Sequence, residues 1–449
     1  MKAKVLFFAA ACAASAIVHA QETPAFWKFA PTPAMGWNSW DCFATTVTEA
    51  QTKANTDVMA SQLERYGWKY IVVDIQWYEP KAASFEYRKD AKLTMDQWGR
   101  LLPAPNRFPS AANGAGFKAL ADYVHSKGLK FGLHIMRGIP RQAVAENLPI
   151  KGTPYHAADI ANKSDTCAWN PDMYGVDMSK PGAQAYYDSV YELFASWGVD
   201  FIKCDDLSRP YHKPEVEAIR HAIDKTGRAI VFSTSPGATP LAEGAHVESH
   251  ANMWRIRDDF WDAWGPLHEQ FQLLADWTPF RGPGHFPDAD MLPLGAIRQV
   301  GSNAKNPPHT RFTPDEQLTM MSLWAIARSP LIMGGDLTKL DAFTLGLLTN
   351  PEMIAVNQVS TGNRQISRKD DLIVWAAGVP GSRDRYVGLF NAQTGSSAPV
   401  AVAFEDLGIV GQATVRDLWK RKDLGTFNGA FSQIIPSHGA GLYRVSPIR

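Results

Sequence analysis

The chain has 449 residues, 45% of them hydrophobic and 11% aromatic, with 45 basic and 45 acidic side chains and a formal charge of zero. Such a composition buries a large core, in one big domain plus a smaller one, and excludes a disordered polymer. The balanced charge supplies no field that would draw nucleic acid or an anionic membrane, so a neutral ligand is expected; fifteen tryptophans offer flat faces that suit the C–H faces of sugar rings, although most tryptophans serve packing.

The first twenty residues, MKAKVLFFAAACAASAIVHA, set Lys2 and Lys4 before an apolar run and a cleavage site at Val18-His19-Ala20. This is the pattern of a secretory signal peptide, and the run is too short and too rich in small residues for a membrane span. A secreted or periplasmic protein is therefore expected, free of the membrane once cleaved. Cys12 leaves with the leader. Cys42, Cys167 and Cys204 remain, an odd number without CxxC spacing, which indicates neither a zinc site nor a disulfide framework and leaves room for one disulfide.

From residue 30 to 337 short apolar runs alternate with helical patterns, the sign of a parallel α/β architecture. The runs fall at 33–40, 70–78, 129–138, 199–206, 229–237, 250–259, 284–292 and 329–337. Eight strands predict a closed (β/α)8 TIM barrel over 21–357. Phe117, Leu120 and Val124 mark one helix face, and Tyr186, Val190, Leu193 and Trp197 another; Gly128, Gly198 and Gly227 stand at the expected C-terminal caps. Thr313-Pro314-Asp315-Glu316 supplies a cap, a first-turn proline and acids ahead of the last barrel helix. From 358 to 449 the texture changes to alternating runs such as DLIVWAAGV and RYVGLFNA, which predict a C-terminal antiparallel β-sandwich.

In such a barrel the active site lies at the C-terminal ends of the strands. The polar residues there are Asp74 and Gln76, His134 and Arg137, Lys203, Asp205 and Asp206, Ser235, Arg255, Asp258 and Asp259, Asp288 and Asp290, and Asp336, with Trp37 and Trp40 at the first strand. Side chains alternate along a strand, so Lys203 and Asp205 share the face opposite Ile202 and Cys204 and point together into the barrel mouth. There the ammonium lowers the Asp205 pKa. Asp206 has the other parity and opens a turn, as Asp often does. Alternation likewise groups Arg255, Arg257 and Asp259. Two carboxylates facing each other across the mouth are what glycosidic bond cleavage needs. A metal site competes as a reading of so many acids, but His-x-His after the first strand is absent and Asp288-Ala-Asp290 is a weak ligand pattern. His134 reads equally as a hydrogen-bonded strand-end histidine and as a participant in catalysis.

MGWNSWD (35–41), Asp74, Lys203-x-Asp205, Trp254-Arg255 with Asp259, PDADM (287–291), LWAIARSPLIMGGDL (323–337) and IAVNQ (354–358) together resemble family 27 of the glycoside hydrolases, the α-galactosidases and α-N-acetylgalactosaminidases. The resemblance covers nearly the whole chain after the leader. It implies retaining double displacement on a terminal α-linked galactose of an oligosaccharide or glycoconjugate, with no cofactor and no metal. It also implies that Asp205 is the nucleophile and Asp259 the acid/base, that Trp37 stacks on the sugar, and that Asp74, Lys203 and Arg255 bind its hydroxyls; His134, Ser235 and Asp290 complete the expected substrate site. Three positions depart from the family pattern. Asp-Asp becomes Asp74-Ile75, removing a carboxylate on the O4/O6 side; a tyrosine becomes His134; and Glu-Trp or Ser-Trp becomes Ser235-Pro236. These departures raise α-N-acetylgalactosaminidase and β-L-arabinopyranosidase as sibling specificities. A non-catalytic carbohydrate-binding barrel is the reading from another class.

Overall fold

The computed structural model describes residues 23–448. The expected leader, residues 1–20, lies outside them. Eight parallel strands form one sheet: β1 (Met35–Asn38), β2 (Tyr70–Val73), β3 (Lys130–Met136), β4 (Phe201–Asp205), β5 (Val231–Thr234), β6 (Met253–Arg255), β7 (Phe286–Asp288) and β8 (Leu331–Met333). Neighbours follow chain order, and β8 pairs with β1. Closure between the last two strands comes just beyond β7, where Leu292 bridges Met333 and exchanges backbone hydrogen bonds with Ile332 and Gly334. The sheet is therefore a (β/α)8 barrel.

Helices α1 (Glu49–Val58), α2 (Lys118–Ser126), α3 (Ala183–Trp197), α4 (Lys213–Lys225), α5 (Trp264–Asp276) and α6 (Pro314–Ala327) surround it. Their ends follow the sequence signals. Gly198 takes a left-handed φ of 87° after α3, and Thr313 opens α6 with a capping box to Glu316. A long excursion after β3 adds a small antiparallel sheet of Ile139–Pro140, Ala161–Thr166 and Met173–Val176.

Alternation divides the barrel into two cores. Tyr70, Val72, Phe201, Val231, Met253 and Ile332 pack inside the barrel, with Ala30 and Ala34 of the N-terminal segment joining them. Met35, Trp37, Ile71, Val73, Ile202, Cys204, Trp254 and Met333 face the helices. The apolar inner cluster leaves the C-terminal ends of the strands to polar side chains, which is what places a site there.

The C-terminal domain has a six-stranded antiparallel sheet facing a two-stranded one. The first contains β9 (Thr361–Lys369), β10 (Leu372–Gly378), β11 (Arg385–Asn391), β13 (Gln412–Asp417), β14 (Lys422–Asn428) and β16 (Ala440–Pro447); the second pairs β12 (Ala398–Ala403) with β15 (Ala430–Ile435). Val374, Val387, Leu389, Val400, Val402 and Phe431 fill the space between them. Helix α6 is buried on nearly every side because it lies between barrel and sandwich, as an all-round apolar helix must. IAVNQ proves to be a clamp: Asn357 donates to the carbonyls of Trp324 and Ser329, and Gln358 to that of Pro33.

All three described cysteines are buried and free, so no disulfide forms among the described residues. None of their helices is long and apolar enough to cross a membrane.

Candidate active site

The inward parity of β1, β2 and β4 brings Asn38, Asp74, Lys203 and Asp205 together above the apolar plug. Asp74 is 1% exposed. Its Oδ2 accepts from Asn38 Nδ2 at 2.6 Å and lies 3.0 Å from Lys203 Nζ, while Oδ1 accepts the Ile75 backbone N–H at 2.8 Å. Burial by itself would lower the Lys203 pKa, but the charges of Asp74, Asp205 and Asp259 outweigh it and hold the ammonium above its usual range.

Register places His134 beside Lys203 and Met136 beside Asp205. His134 is fully buried, with Nε2 2.7 Å from Asp205 Oδ2 at an angle that does not make a hydrogen bond. For Asp205, burial would raise the pKa, yet the neighbouring His134 and Lys203 outweigh it and set it at about 2. Asp205 is thus held as a carboxylate at neutral pH, and its Oδ1 has no hydrogen-bond partner among the described residues.

Strand β6 stops at Arg255, and with it the alternation. Arg257 turns outward to pair with Glu269, and touches Asp259 only at its backbone carbonyl. Asp259 sits half-exposed at the mouth with Oδ1 3.3 Å from Arg255 Nη2. The same guanidinium nitrogen lies 2.7 Å from Asp290 Oδ2, which also accepts the Phe260 N–H at 2.7 Å. Burial pushes the Asp290 pKa up; Arg255 opposes this, Asp259 and Asp288 add to it, and the result is about 7.

Asp74, Lys203, Asp205 and Asp259 border a cavity of about 640 Å³. Asp74, Ile75, Lys203 and Asp205 line its inner part, and Asp259 lines its mouth with Asp258, Arg209, Pro236 and Gly237. His134, Ser235, Arg255 and Asp290 are buried in a polar layer behind these walls, next to Asp205 and Asp259. Ser235 Oγ lies 3.4 Å from Arg255 Nη1, and Pro236 stands at the cavity wall in its place. A larger surface groove of about 750 Å³ between α3 and α4 holds none of the expected site residues.

Trp37 is the clearest correction. Its side chain is fully buried, its indole N–H donates to the Gly335 carbonyl at 2.9 Å, and it shares the helix-facing core with Met35. Parity explains this: in β1 the inward residues are Gly36 and Asn38. Trp40 lies past the end of the strand, where a turn of helix redirects it to the cavity wall. Three further aromatics at the cavity, Phe85, Tyr87 and Trp169, were not anticipated from the sequence. Their only local signal is the presence of large rings in otherwise polar loops.

The adjacent aspartates Asp205 and Asp206 divide their roles. Asp206 has a φ of 67° and is held by Arg137 at 2.8 Å, a guanidinium that also takes Asp165 and Glu215. Gln76 donates to Asp172, and Asp336 accepts from Thr338 in a turn away from the cavity. Among the described residues two groups carry metal-type donors, Glu217/His246/His250 and Asp165/His212/Glu215. Arg137 already fills the second, and neither contains an expected site residue.

The chain matches the family model described as alpha galactosidase A over residues 32–178 and 172–359, and that of the alpha galactosidase C-terminal beta sandwich domain over 369–445. It is 31% identical over 424 residues to the α-galactosidase of Coffea arabica, covering 93% of this chain and 94% of that one. The crystal structure of a family GH27 β-L-arabinopyranosidase from Geobacillus stearothermophilus superposes with a TM-score of 0.92 at 50% identity, covering 94% of this chain and 98% of that one. A single-substitution variant of that enzyme, in complex with arabinose, superposes with the same TM-score of 0.92 at 48% identity, covering 95% of this chain and 100% of that one.

Proposed function

The chain belongs to glycoside hydrolase family 27, and we propose that within it the protein is a retaining exo-glycosidase that removes terminal β-L-arabinopyranosyl residues from oligosaccharides or glycoconjugates. The observation that carries this reading is Ile75. It is 1% exposed, follows Asp74 directly and lines the cavity, at a position where the family pattern has a second carboxylate. β-L-Arabinopyranose has the ring configuration of α-D-galactopyranose without C6. A galactose would set its O6 hydroxyl against isoleucine with no acceptor, a loss of about 1–3 kcal/mol; arabinopyranose has no such hydroxyl to satisfy.

In this reading the Asp205 carboxylate attacks the anomeric carbon while Asp259 gives its proton to the departing oxygen. Asp259, now ionised, takes a proton from water, whose oxygen displaces Asp205 and restores the starting configuration. Asp74 and Lys203 bind ring hydroxyls, and no cofactor takes part. Lys203 and His134 keep the nucleophile charged, while Arg255 holds Asp259 at the mouth.

A second reading, α-galactosidase, draws on the identity to the curated plant enzyme. A panel of p-nitrophenyl glycosides separates the two. The β-L-arabinopyranoside is expected to give the highest kcat/KM; a higher value on the α-galactoside favours the second reading, and no turnover of either leaves a carbohydrate-binding barrel. Export belongs to the same proposal and rests on the leader-like first twenty residues. N-terminal sequencing of the exported protein should begin at Gln21.

A further inference from the structure

The cavity changes character from its floor to its mouth. Three aromatic rings follow one another outward: half-buried Trp40 stacks on half-buried Tyr87 with centroids 6.3 Å apart and planes 9° from parallel, and Tyr87 meets Trp169 at 5.7 Å. Trp169 is 40% exposed, a large apolar surface left facing water beside the proposed catalytic pair. The rings come from three different connections, after β1, after β2 and in the excursion after β3.

The exposed ring is anchored at its base. Cys167 and Asn170 on either side of it are buried. Asp172 accepts hydrogen bonds from Gln76 at 2.6 Å and from the Tyr78 hydroxyl at 2.8 Å, tying the excursion to the loop that carries Tyr87. Burial, reinforced by the nearby charges of Asp205 and Asp74, keeps the Tyr87 phenol protonated, so it can donate to a hydroxyl. A sugar seated against Asp74 and Asp205 must send its leaving group outward past Asp259, along these rings.

We propose that Tyr87 and Trp169 form a leaving-group subsite that takes a flat ring, a second pyranose or an aryl group, through its C–H or π face. The proposal rests on Asp205 and Asp259 being the catalytic pair. It adds a substrate class: terminal sugars attached to a ring rather than to a flexible chain. A ring laid on Trp169 recovers the apolar surface that the free protein leaves in water, and Trp169 already packs against Tyr87 without a ligand.

The test compares wild type and Trp169→Ala on three donors with the same terminal sugar: a disaccharide, an aryl glycoside and the glycosyl fluoride, which has no leaving-group ring. The ratio of kcat/KM on each ring-bearing donor to that on the fluoride should fall about tenfold. Trp169→Phe should recover most of it. A fall on only one ring-bearing donor identifies which ring the subsite accepts. An equal loss on all three donors, or no change in either ratio, overturns the proposal. If only α-galactosyl donors are turned over, the arabinoside reading fails and the same ratios on those donors still decide the subsite. If no donor is turned over, the catalytic reading fails and the subsite with it.

Discussion

The floor and the mouth of one cavity follow opposite rules. At the floor, Asp74 and Asp205 are buried, Lys203 is only partly exposed, and each is set by a partner within about 3 Å, so charge is fixed in a low-dielectric setting where it acts strongly. At the mouth, Arg209 and Asp258 pair at 2.7 Å with side chains 63% and 58% exposed, and half-exposed Asp259 lines the same cavity as Trp40, Tyr87 and Trp169. The floor is organised before any sugar arrives. The mouth is open to water, as the acid/base role proposed for Asp259, which changes state twice per turnover, requires.

Substitutions at the two ends should therefore differ in size and in kind. Asp205→Asn is expected to lower kcat by roughly 10⁴-fold or more with the melting temperature little changed; substantial remaining turnover would place the nucleophile elsewhere. Asp259→Ala should cost about 10²–10⁴-fold on substrates with poor leaving groups and far less on a dinitrophenyl glycoside, which leaves without a proton. Equal losses on both would remove Asp259 from the acid role.

Ile75→Asp tests the floor's selectivity. Introducing an acceptor for O6 should move the arabinoside-to-galactoside ratio of kcat/KM by about 10–100-fold toward galactoside, and an unchanged ratio would show that Ile75 does not set the sugar. Asp290 tests the layer behind the mouth. Its folded pKa near 7 exceeds its ordinary 3.8, so between these values the folded state keeps a proton that the unfolded state has lost. Stability from this group is present below pH 3.8 and declines as pH rises toward 7. Asp290→Asn should flatten that decline in thermal unfolding, and a parallel profile would contradict it. The smallest effect is expected at Arg209→Ala, where loss of an exposed pair should cost about 0–1 kcal/mol.

The barrel was legible because each strand announces itself through its apolar run and several helices through their caps, Gly198 and Thr313 among them. The pairing of Lys203 with Asp205 was legible for the same reason, since parity is a property of a few consecutive residues. Trp37 shows that the rule must be applied at every strand: in β1 the same parity turns Trp37 toward the helices and Asn38 toward Asp74. Past the end of β6 the rule expires: Arg257 pairs with Glu269 and reaches only the backbone carbonyl of Asp259.

By itself, then, the sequence determined the (β/α)8 barrel with its sandwich, the inward Lys203–Asp205 pair and the apolar Ile75 beside Asp74, because alternation and helical period are local consequences of chain geometry. Only the tertiary structure decided that His134 braces Asp205 from behind, that Arg255 divides itself between Asp259 and Asp290, and that Trp40, Tyr87 and Trp169 form one wall. Those neighbours lie on separate strands and loops, and closing the barrel is what brings them together.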